Sequence, residues 1–333
     1  MEKEVYCFNS ITDIIETAKK YKSERKNNNK NKNNNKKRKR VEYNSDLERL
    51  SECIEPLKKL NNLIGMDSLK KNIIDQLLFY TQELNTDEMM HTCLTGPPGV
   101  GKTTLGKILA ELYCSMGFLE TDNFKVVSKP ELIAGYVGQT AIKTQKVLKS
   151  SLGGVLFIDE AYSLGSGEHD DSFGKECIDT INKFLSENTK NFVMVIAGYR
   201  EELDHCFFSL NKGLRRRFPW SYDIDKYSIK DLIKIFVYQV IENDWDFDDT
   251  VSFDNYQKLD HYFEINKDIF EHNGGDTLVL FDKIKICHSR RVFGQRKKYK
   301  KVIDISDIQL GMELFKSFKK KAKKNEVPYG MYT

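Results

Sequence analysis

Residues 94–104 have the composition of a loop that binds phosphate groups. They contain the pattern G-x-x-x-x-G-K-[ST], with Gly96, Gly101, Lys102 and Thr103 at its fixed positions. Glycines let the backbone adopt positive φ and bring amide N–H groups close to a phosphate. A lysine here can reach the β- and γ-phosphates, and the threonine hydroxyl can bind Mg²⁺. The sequence therefore predicts a site for a nucleoside triphosphate and Mg²⁺, formed by Gly96, Pro97, Pro98, Gly99, Val100, Gly101, Lys102, Thr103 and Thr104.

Two adjacent carboxylates, Asp159 and Glu160, follow the apolar run Val155–Ile158 about 55 residues beyond this loop. The run predicts a buried strand, whose carboxyl end would present both acids at the edge where parallel sheets bind ligands. Asp159 suits the Mg²⁺ shell beside Thr103. Glu160 is placed to orient and deprotonate an attacking water. The loop and the acidic pair together predict hydrolysis of the triphosphate.

A parallel sheet is the element that would position these residues. Apolar runs separated by helix-length segments indicate strands covered by helices on both faces. The fold class predicted is α/β, a P-loop NTPase with a parallel sheet flanked by helices, plus a small α-helical domain. We expect the sheet domain at 44–225 and the helical domain, with a basic tail, at 226–333. The strand candidates are 89–95, 124–127, 155–158, 192–197 and 220–224.

The positive charge of the chain is concentrated near its start. Residues 22–40 hold ten Lys and Arg against one Glu, a local +9 within a total of +4, which leaves −5 for the remainder. No apolar residue lies between Tyr21 and Val41, so 1–43 is predicted to be a disordered, Asn/Lys-rich region with a short helix before Tyr21. The tract could be a nuclear-localisation patch, a nucleic-acid arm or a solvated linker.

The remaining composition excludes several classes of protein. No run of eighteen apolar residues occurs, so no membrane span is expected. The N-terminus lacks the apolar region of a secretory signal. Seven scattered cysteines, never in C-x-x-C spacing, argue against a zinc cluster or a disulfide framework. An intracellular, reducing compartment is expected, with the choice between cytoplasm and nucleus left open.

Several stretches of the chain resemble AAA+ ATPases. The phosphate loop, Asp159-Glu160 and 213–218 (GLRRRF) carry the resemblance to the superfamily. Within it the chain is most similar to the red-type Rubisco activases and the sporulation-type AAA proteins, through the stretches 135–141, 153–162 and 196–199. The likeness runs from about residue 55 to 290. It implies ATP as the nucleotide, a lid role for the helical domain, and assembly with other copies of the chain.

The resemblance also implies roles for residues outside the two motifs. Arg217 matches the arginine finger that reaches a neighbouring subunit's γ-phosphate, and Arg215 could assist it; the alternative is a basic surface loop. Tyr199 stands at the sensor position, where Asn is usual. Tyr136 and Val137 match the central-pore loop, against the alternative that Tyr136 packs in a core. Leu63, Ile64 and Gly65 match the family element that lines the adenine pocket. The alternative is that these residues form only a turn that ends a helix.

Three functions compete at this level. The first is an oligomeric, typically hexameric, ATP-hydrolysing ring that remodels or threads an unknown protein partner. The second is a nucleic-acid machine such as a clamp or helicase loader, which the basic segments favour. The third is a scaffold that binds ATP but turns it over slowly. Glu160 and Arg217 favour hydrolysis, and Tyr136 favours a protein partner.

Overall fold

The computed structural model describes residues 10–30, 47–82, 84, 89–136, 138–165, 172–211, 213–252 and 256–325. These residues divide into two compact units. The first comprises the described residues up to Gly96 together with Lys102–Ile224. The second comprises Pro97–Gly101 and the described residues from Asp225 onward. None of the described helices is long and apolar enough to cross a membrane.

The first unit is built on a sheet of five parallel strands in the order β2-β3-β4-β1-β5. Strands β1, β3 and β4 are buried along their whole length, as expected for a parallel sheet covered on both faces. Five strands were predicted and all five are found. Strand β1 begins three residues later than expected, β4 begins and ends one residue later, and β5 ends one residue earlier. Their bounds are β1 Thr92–Thr95, β2 Phe124–Val127, β3 Val155–Ile158, β4 Val193–Gly198 and β5 Trp220–Asp223.

Helices cover this sheet and fix the ends of its strands. Ile178, Ile181 and Leu185 of one helix pack with Leu156 and Met194 of the central strands in a single buried cluster. Burying each such side chain contributes about 1.5–3 kcal/mol. The helices of the first unit are α1 Ile11–Lys30, α2 Leu47–Glu52, α3 Ile54–Asn62, α4 Asp67–Thr81, α5 Lys102–Ser115, α6 Lys129–Leu132, α7 Thr140–Lys149, α8 Ser172–Glu187 and α9 Arg200–Glu202.

The N-terminal helix α1 contains the short helix predicted before Tyr21 and extends beyond it. Ile11, Ile14, Ile15 and Ala18 are buried, and α1 contacts α2, α3 and α4. Ser10 caps the helix, since its hydroxyl accepts the Asp13 N–H at 3.2 Å. The helix continues to Lys30, so the disorder predicted for the basic tract is corrected to helix over 22–30. The buried apolar face of α1 supports this continuation. The rest of the tract, 31–43, lies outside the described residues.

The second unit is helical around a core rich in phenylalanine. Phe263 and Phe270 stack with ring centroids 4.8 Å apart, and Phe236 and Phe315 are fully buried. Two strands of two residues, β6 Asp246–Phe247 and β7 Val302–Ile303, pair in parallel; they are too short to have shown a pattern in the sequence. The helices are α10 Ile229–Glu242, α11 Asp249–Ser252, α12 Gln257–Ile265, α13 Asn273–Arg291 and α14 Ile305–Asn325.

Candidate active site

The phosphate loop has the backbone that its glycines were predicted to allow. Gly96, Gly99 and Gly101 have φ of +152°, +72° and +88°, values that favour glycine. A Cβ on Gly96 would lie 2.5 Å from the carbonyl oxygen of Ile224. A larger residue at Gly96 would therefore force apart β1 and the chain that follows β5.

The tip of the loop belongs to the second unit, where its carbonyl oxygens are bonded. Asn273 Nδ2 donates to the Pro98 oxygen at 3.1 Å, the Gly274 N–H to the Gly99 oxygen at 3.0 Å, and the Tyr227 hydroxyl to the Val100 oxygen at 2.9 Å. Within the described part of the chain, the N–H groups of Gly99–Gly101 donate to no residue. Amides in this arrangement are suited to cradle a phosphate anion.

Lys102 begins α5, directly after the loop in sequence. Its Nζ donates to the Gly96 carbonyl oxygen at 2.8 Å. Burial lowers the pKa of Lys102, whereas the charges of Asp159 and Glu160 raise it. Gly106, one turn further along α5, packs so closely on β3 that a Cβ would be 2.8 Å from the Phe157 ring. This packing holds the start of α5 beside the end of β3.

The chain turns sharply where β3 ends. Asp159 donates its N–H to the Val127 carbonyl oxygen at 3.1 Å, so its backbone still follows the sheet. Glu160 adopts the left-handed conformation, φ +48° and ψ +45°, and its N–H donates to Asp159 Oδ1 at 3.1 Å. A non-glycine residue in this conformation is strained, and such residues cluster at functional sites. The turn leaves the Glu160 side chain exposed.

Two tyrosines lie next to Glu160. Tyr199 follows β4, and its ring centroid is 5.8 Å from that of Tyr162 and 5.8 Å from Lys102 Nζ. Burial raises the pKa of Tyr162 to about 12, with Glu160 adding to the effect. Burial also raises the pKa of Tyr199, followed by the charges of Glu202 and Glu160. Both phenols therefore remain neutral hydrogen-bond donors at neutral pH.

A polar cluster that the sequence did not reveal lies at the same edge of the sheet. Arg200 Nε donates to Asp223 Oδ1 at 3.0 Å, and its Nη2 contacts the other carboxylate oxygen. The Thr95 hydroxyl also donates to Asp223. These bonds, that of Arg200 first, lower the pKa of Asp223. Thr95 ends β1, Arg200 follows β4 and Asp223 ends β5. These residues meet because β1 pairs with both β4 and β5, which the sequence does not reveal.

The candidate finger residues occupy a short 3₁₀ turn, Arg215–Arg217. Arg217 Nε donates to Ser186 Oγ at 3.1 Å, and its Nη1 donates to the Gly213 carbonyl oxygen at 2.7 Å. Arg215 pairs with Asp204, and its guanidinium carbon lies 4.4 Å from the centroid of the Phe208 ring. Arg215 is thus held by two partners on its own chain.

The other predicted residues lie on turns. Leu63, Ile64 and Gly65 connect α3 to α4 and are partly buried, and Lys70 Nζ donates to the Leu63 carbonyl oxygen at 2.6 Å. Tyr136 is 74% exposed, in a turn where the Gln139 N–H donates to its carbonyl oxygen at 3.3 Å. Val137 lies outside the described residues.

Comparison with known proteins identifies the family. A family model described as "ATPase family associated with various cellular activities (AAA)" matches residues 92–225. A cfxQ-like protein of Acanthamoeba polyphaga mimivirus is 41% identical over 286 residues, which cover 85% of this chain and 70% of that protein. The chain belongs to the AAA family of ATPases. It is accordingly an ATP hydrolase, and the predicted family is confirmed.

A bacterial relative places this AAA ATPase near the sporulation-type group. Stage V sporulation protein K of Bacillus subtilis is 40% identical over 186 residues, which cover 54% of this chain and 57% of that protein. ESX-3 secretion system protein EccA3 of Mycobacterium leprae is 35% identical over 189 residues, 54% of this chain and 29% of that protein. The chain therefore spans only part of these two relatives.

Solved structures show the same fold at lower identity. The FIGL-1 AAA domain in complex with ADP superposes with a TM-score of 0.56 at 18% identity, covering 79% of this chain and 89% of that one. The Thermotoga maritima RuvB Holliday junction branch migration motor superposes with a TM-score of 0.50 at 23% identity, covering 77% and 71%. These structures confirm the predicted α/β fold class and nothing finer.

Proposed function

We propose that this AAA ATPase works as a ring of identical subunits that hydrolyses ATP and thereby remodels a protein partner. In the catalytic step, Glu160 takes a proton from a water whose oxygen attacks the γ-phosphorus. The bond from the γ-phosphorus to its bridging oxygen breaks, and ADP and phosphate leave. The exposure of Glu160 and the effect of its charge on the pKa of Lys102 support this role.

The phosphate-binding groups follow from the geometry of the loop. The N–H groups of Gly99–Gly101, which donate to no described residue, would donate hydrogen bonds to phosphate oxygens. Lys102 would exchange its bond to the Gly96 oxygen for bonds to the β- and γ-phosphates. The turn Leu63–Gly65 would border the adenine. Tyr199, a neutral donor near Lys102, would sense the γ-phosphate.

The residues at this edge of the sheet fit Mg²⁺. Thr103 offers a hydroxyl and Asp159 a carboxylate, and Mg²⁺ takes oxygen ligands in combination with nucleotide phosphates. The charge of Asp159 raises the pKa of Lys102, which supports a position of this carboxylate near the lysine that we assign to phosphate binding. Mg²⁺, when bound, would neutralise charge on the β- and γ-phosphates.

The finger residue supports sharing of the site between neighbours. The described partners of Arg217 are Ser186 and Gly213, and none is a phosphate-binding residue of its own chain. A planar guanidinium can donate two parallel bonds to phosphate oxygens. We assign Arg217 to the active site of the adjacent subunit, with Arg215 fixing the turn that presents it.

The observation that carries the choice of a protein partner is the exposure of Tyr136. A ring 74% open to solvent between Gly135 and Gly138, whose added Cβ atoms would meet nothing, has room to move and to grip an extended polypeptide. Most aromatic side chains bury their area. Tyr136 and Val137 would therefore line the central pore of the ring.

The proposal is tested with a permanently unfolded polypeptide, such as a reduced and alkylated protein, as probe. Wild-type protein should assemble in ATP, as followed by light scattering, and the probe should stimulate its ATPase. Tyr136→Ala should assemble and hydrolyse ATP but lose the stimulation, whereas Tyr136→Phe should keep it. Tyr238, an exposed tyrosine of α10, supplies the control Tyr238→Ala. Equal stimulation of Tyr136→Ala and Tyr238→Ala would contradict the proposal.

A further inference from the structure

The segment that joins α13 to β7 is strongly basic and open to solvent. We call residues 290–301 the basic loop. It contains no Asp or Glu, and residues 293–301 are all exposed. In the described part of the chain Arg291 is ion-paired with Asp304 and Asp307, and the other cations of the loop form no ion pair. Those cations are Arg290, Arg296, Lys297, Lys298, Lys300 and Lys301.

An aromatic side chain stands among these cations. Phe293 is 91% exposed, so the phenyl ring buries almost none of its surface in its own chain. It is followed by Gly294, whose φ is +78°, in a turn closed by the Gln295 N–H donating to the Val292 oxygen at 2.9 Å. Tyr299 is 39% exposed, with Lys298 Nζ 4.7 Å from its ring centroid.

The base of the loop is held by buried groups of the second unit. His288 is 1% exposed; its Nε2 is 2.9 Å from the Lys300 carbonyl oxygen and its Nδ1 is 2.9 Å from Asp307 Oδ2. Arg291 Nη2 donates to the Val302 oxygen at 2.9 Å. The C-terminal end of the loop is thus held in place before any ligand arrives, which reduces the entropy lost on binding.

We propose that the basic loop binds single-stranded nucleic acid, independently of the ring and its pore. Arg296, Lys297 and Lys298 contact backbone phosphates, and Phe293 stacks on an unpaired base. Proteins that bind single strands combine a positively charged path with aromatic rings, because every base has a face on which a ring can stack.

Other polyanionic partners fit the loop less well. A duplex would satisfy the cations, but its paired bases offer Phe293 no free face. An anionic membrane would also attract the cations, yet the single exposed phenyl offers it little apolar area. The loop matches a chain that repeats phosphate and planar base.

The test measures the binding of a fluorescein-labelled single strand of about 16 nucleotides, the upper end of an ordinary site, by fluorescence anisotropy. The full chain is used with residues 36–40 (KKRKR) changed to glutamine, because the N-terminal tract would add its own affinity. Phe293→Ala should weaken binding about tenfold. Phe293→Leu should weaken it to a similar degree, and Phe293→Trp should not, since leucine keeps the apolar area but cannot stack.

The charges are tested with matched pairs of substitutions. Lys297→Gln with Lys298→Gln removes two loop cations, and Lys320→Gln with Lys321→Gln removes two exposed lysines of α14. The loop pair should reduce the slope of log affinity against log salt by about 1.4. The α14 pair and the Phe293 variants should leave the slope unchanged. Basal ATPase should remain as in the parent protein in every variant.

Three outcomes would overturn the proposal. The first is equal binding by the two lysine pairs, and the second is parental affinity of Phe293→Leu. The third is tighter binding of duplex DNA, or of phosphatidylserine vesicles, than of the single strand. Parallel measurements with single-stranded DNA and single-stranded RNA show which sugar is preferred. The proposal is supported if either strand binds and the Phe293 and lysine variants change its affinity as expected.

Discussion

The guanidinium of Arg217 lies against the hydroxyl of Ser186, near the end of α8, with 3.1 Å between Nε and Oγ. Nη2 contacts the same oxygen at 2.5 Å, so one serine oxygen accepts two bonds from the same edge of the guanidinium. A finger held in this way must leave Ser186 before it can reach a phosphate on another subunit. If Arg217 acts in the neighbouring active site as proposed, Ser186 competes with that site for the guanidinium.

This competition predicts the effect of Ser186→Ala. The free energy of unfolding should change by less than about 1.5 kcal/mol, because the bonds lost are at the surface. The rate of ATP hydrolysis should rise, since the guanidinium loses a competing partner. Steady-state phosphate release measures the rate of hydrolysis. Ser150→Ala, at the end of α7, is the control and should leave this rate unchanged. A fall in rate as deep as that of Arg217→Ala would show instead that Ser186 positions the finger for catalysis.

Glu160→Gln should preserve ATP binding and stop hydrolysis, because the amide cannot accept the water's proton. Glutamine has the same shape, so the strained turn after Asp159 should persist. Binding of a fluorescent ATP analogue and phosphate release separate the two effects. Glu202→Gln, at a nearby exposed carboxylate, is the control. Turnover close to wild type would remove Glu160 from the role of base.

The helix α1 should contribute to the stability of the first unit. Ile14 is fully buried, so Ile14→Ala should lower the free energy of unfolding by about 2–5 kcal/mol. Glu16→Ala, on the exposed face of the same helix, should change it by less than about 0.5 kcal/mol. Urea unfolding gives both values. Equal midpoints for the two variants would mean that α1 does not pack as described.

Deletion of 31–43 alone should leave ATPase activity within about twofold.

The buried imidazole of His91 predicts a loss of stability in acid. Burial lowers the pKa of His91 to about 3, and Arg217 adds to the shift; Nδ1 accepts the Met194 N–H at 3.1 Å. In the unfolded chain histidine titrates near 6.5. Below that pH the unfolded state binds a proton that the folded state does not, so this residue should cost about 1.4 kcal/mol per pH unit from 6.5 down to about 3.

The control for His91 is His91→Gln, whose side-chain oxygen can still accept from Met194 but cannot be protonated. Unfolding free energies of the two proteins should run parallel above pH 7 and diverge below 6.5, with the wild type falling faster. Parallel curves at every pH would show that His91 is protonated in the folded state.

The sequence was sufficient to predict the sheet and the positive-φ backbone of the glycine-rich loop, because both depend on local patterns. The strand β3 is four apolar residues followed by two acids, and the loop has a fixed spacing of glycines and lysine. The cluster of Thr95, Arg200 and Asp223 could not be predicted, since it depends on which strands are neighbours. No spacing in the sequence reveals that β1 lies between β4 and β5.

Other differences arise where a tertiary contact outweighs a local signal. Residues 306–309 (SDIQ) have the spacing of a capping box. In the structure Asp304 instead accepts the Asp307 N–H at 2.9 Å, and α14 begins at Ile305. Asp307 is needed elsewhere, as the partner of Arg291 and His288. The left-handed conformation of Glu160 was not predicted either, because it is a non-glycine residue, and such residues rarely adopt positive φ.

The central claim, that neighbouring subunits share each active site, is tested most directly by mixing two inactive variants. Arg217→Ala alone should lose about two to three orders of magnitude in hydrolysis while keeping most of its ATP affinity.

Lys102→Ala alone should lose ATP binding. The control substitution Lys107→Ala, at an exposed lysine of the same helix, should not affect ATP binding. Arg217→Lys should rescue poorly, because an ammonium cannot reproduce the planar fork. Arg216→Ala, at the adjacent exposed arginine, is the matched control for Arg217.

Mixed rings of Arg217→Ala and Lys102→Ala subunits should then recover activity. With equal amounts and random assembly, about one quarter of the interfaces join an intact Lys102 pocket to an intact Arg217, so hydrolysis should approach about one quarter of the wild-type rate. Native mass spectrometry verifies that mixed rings form. Recovery to that level is the result that sharing predicts. Mixed rings that remain as inactive as either variant alone would contradict it.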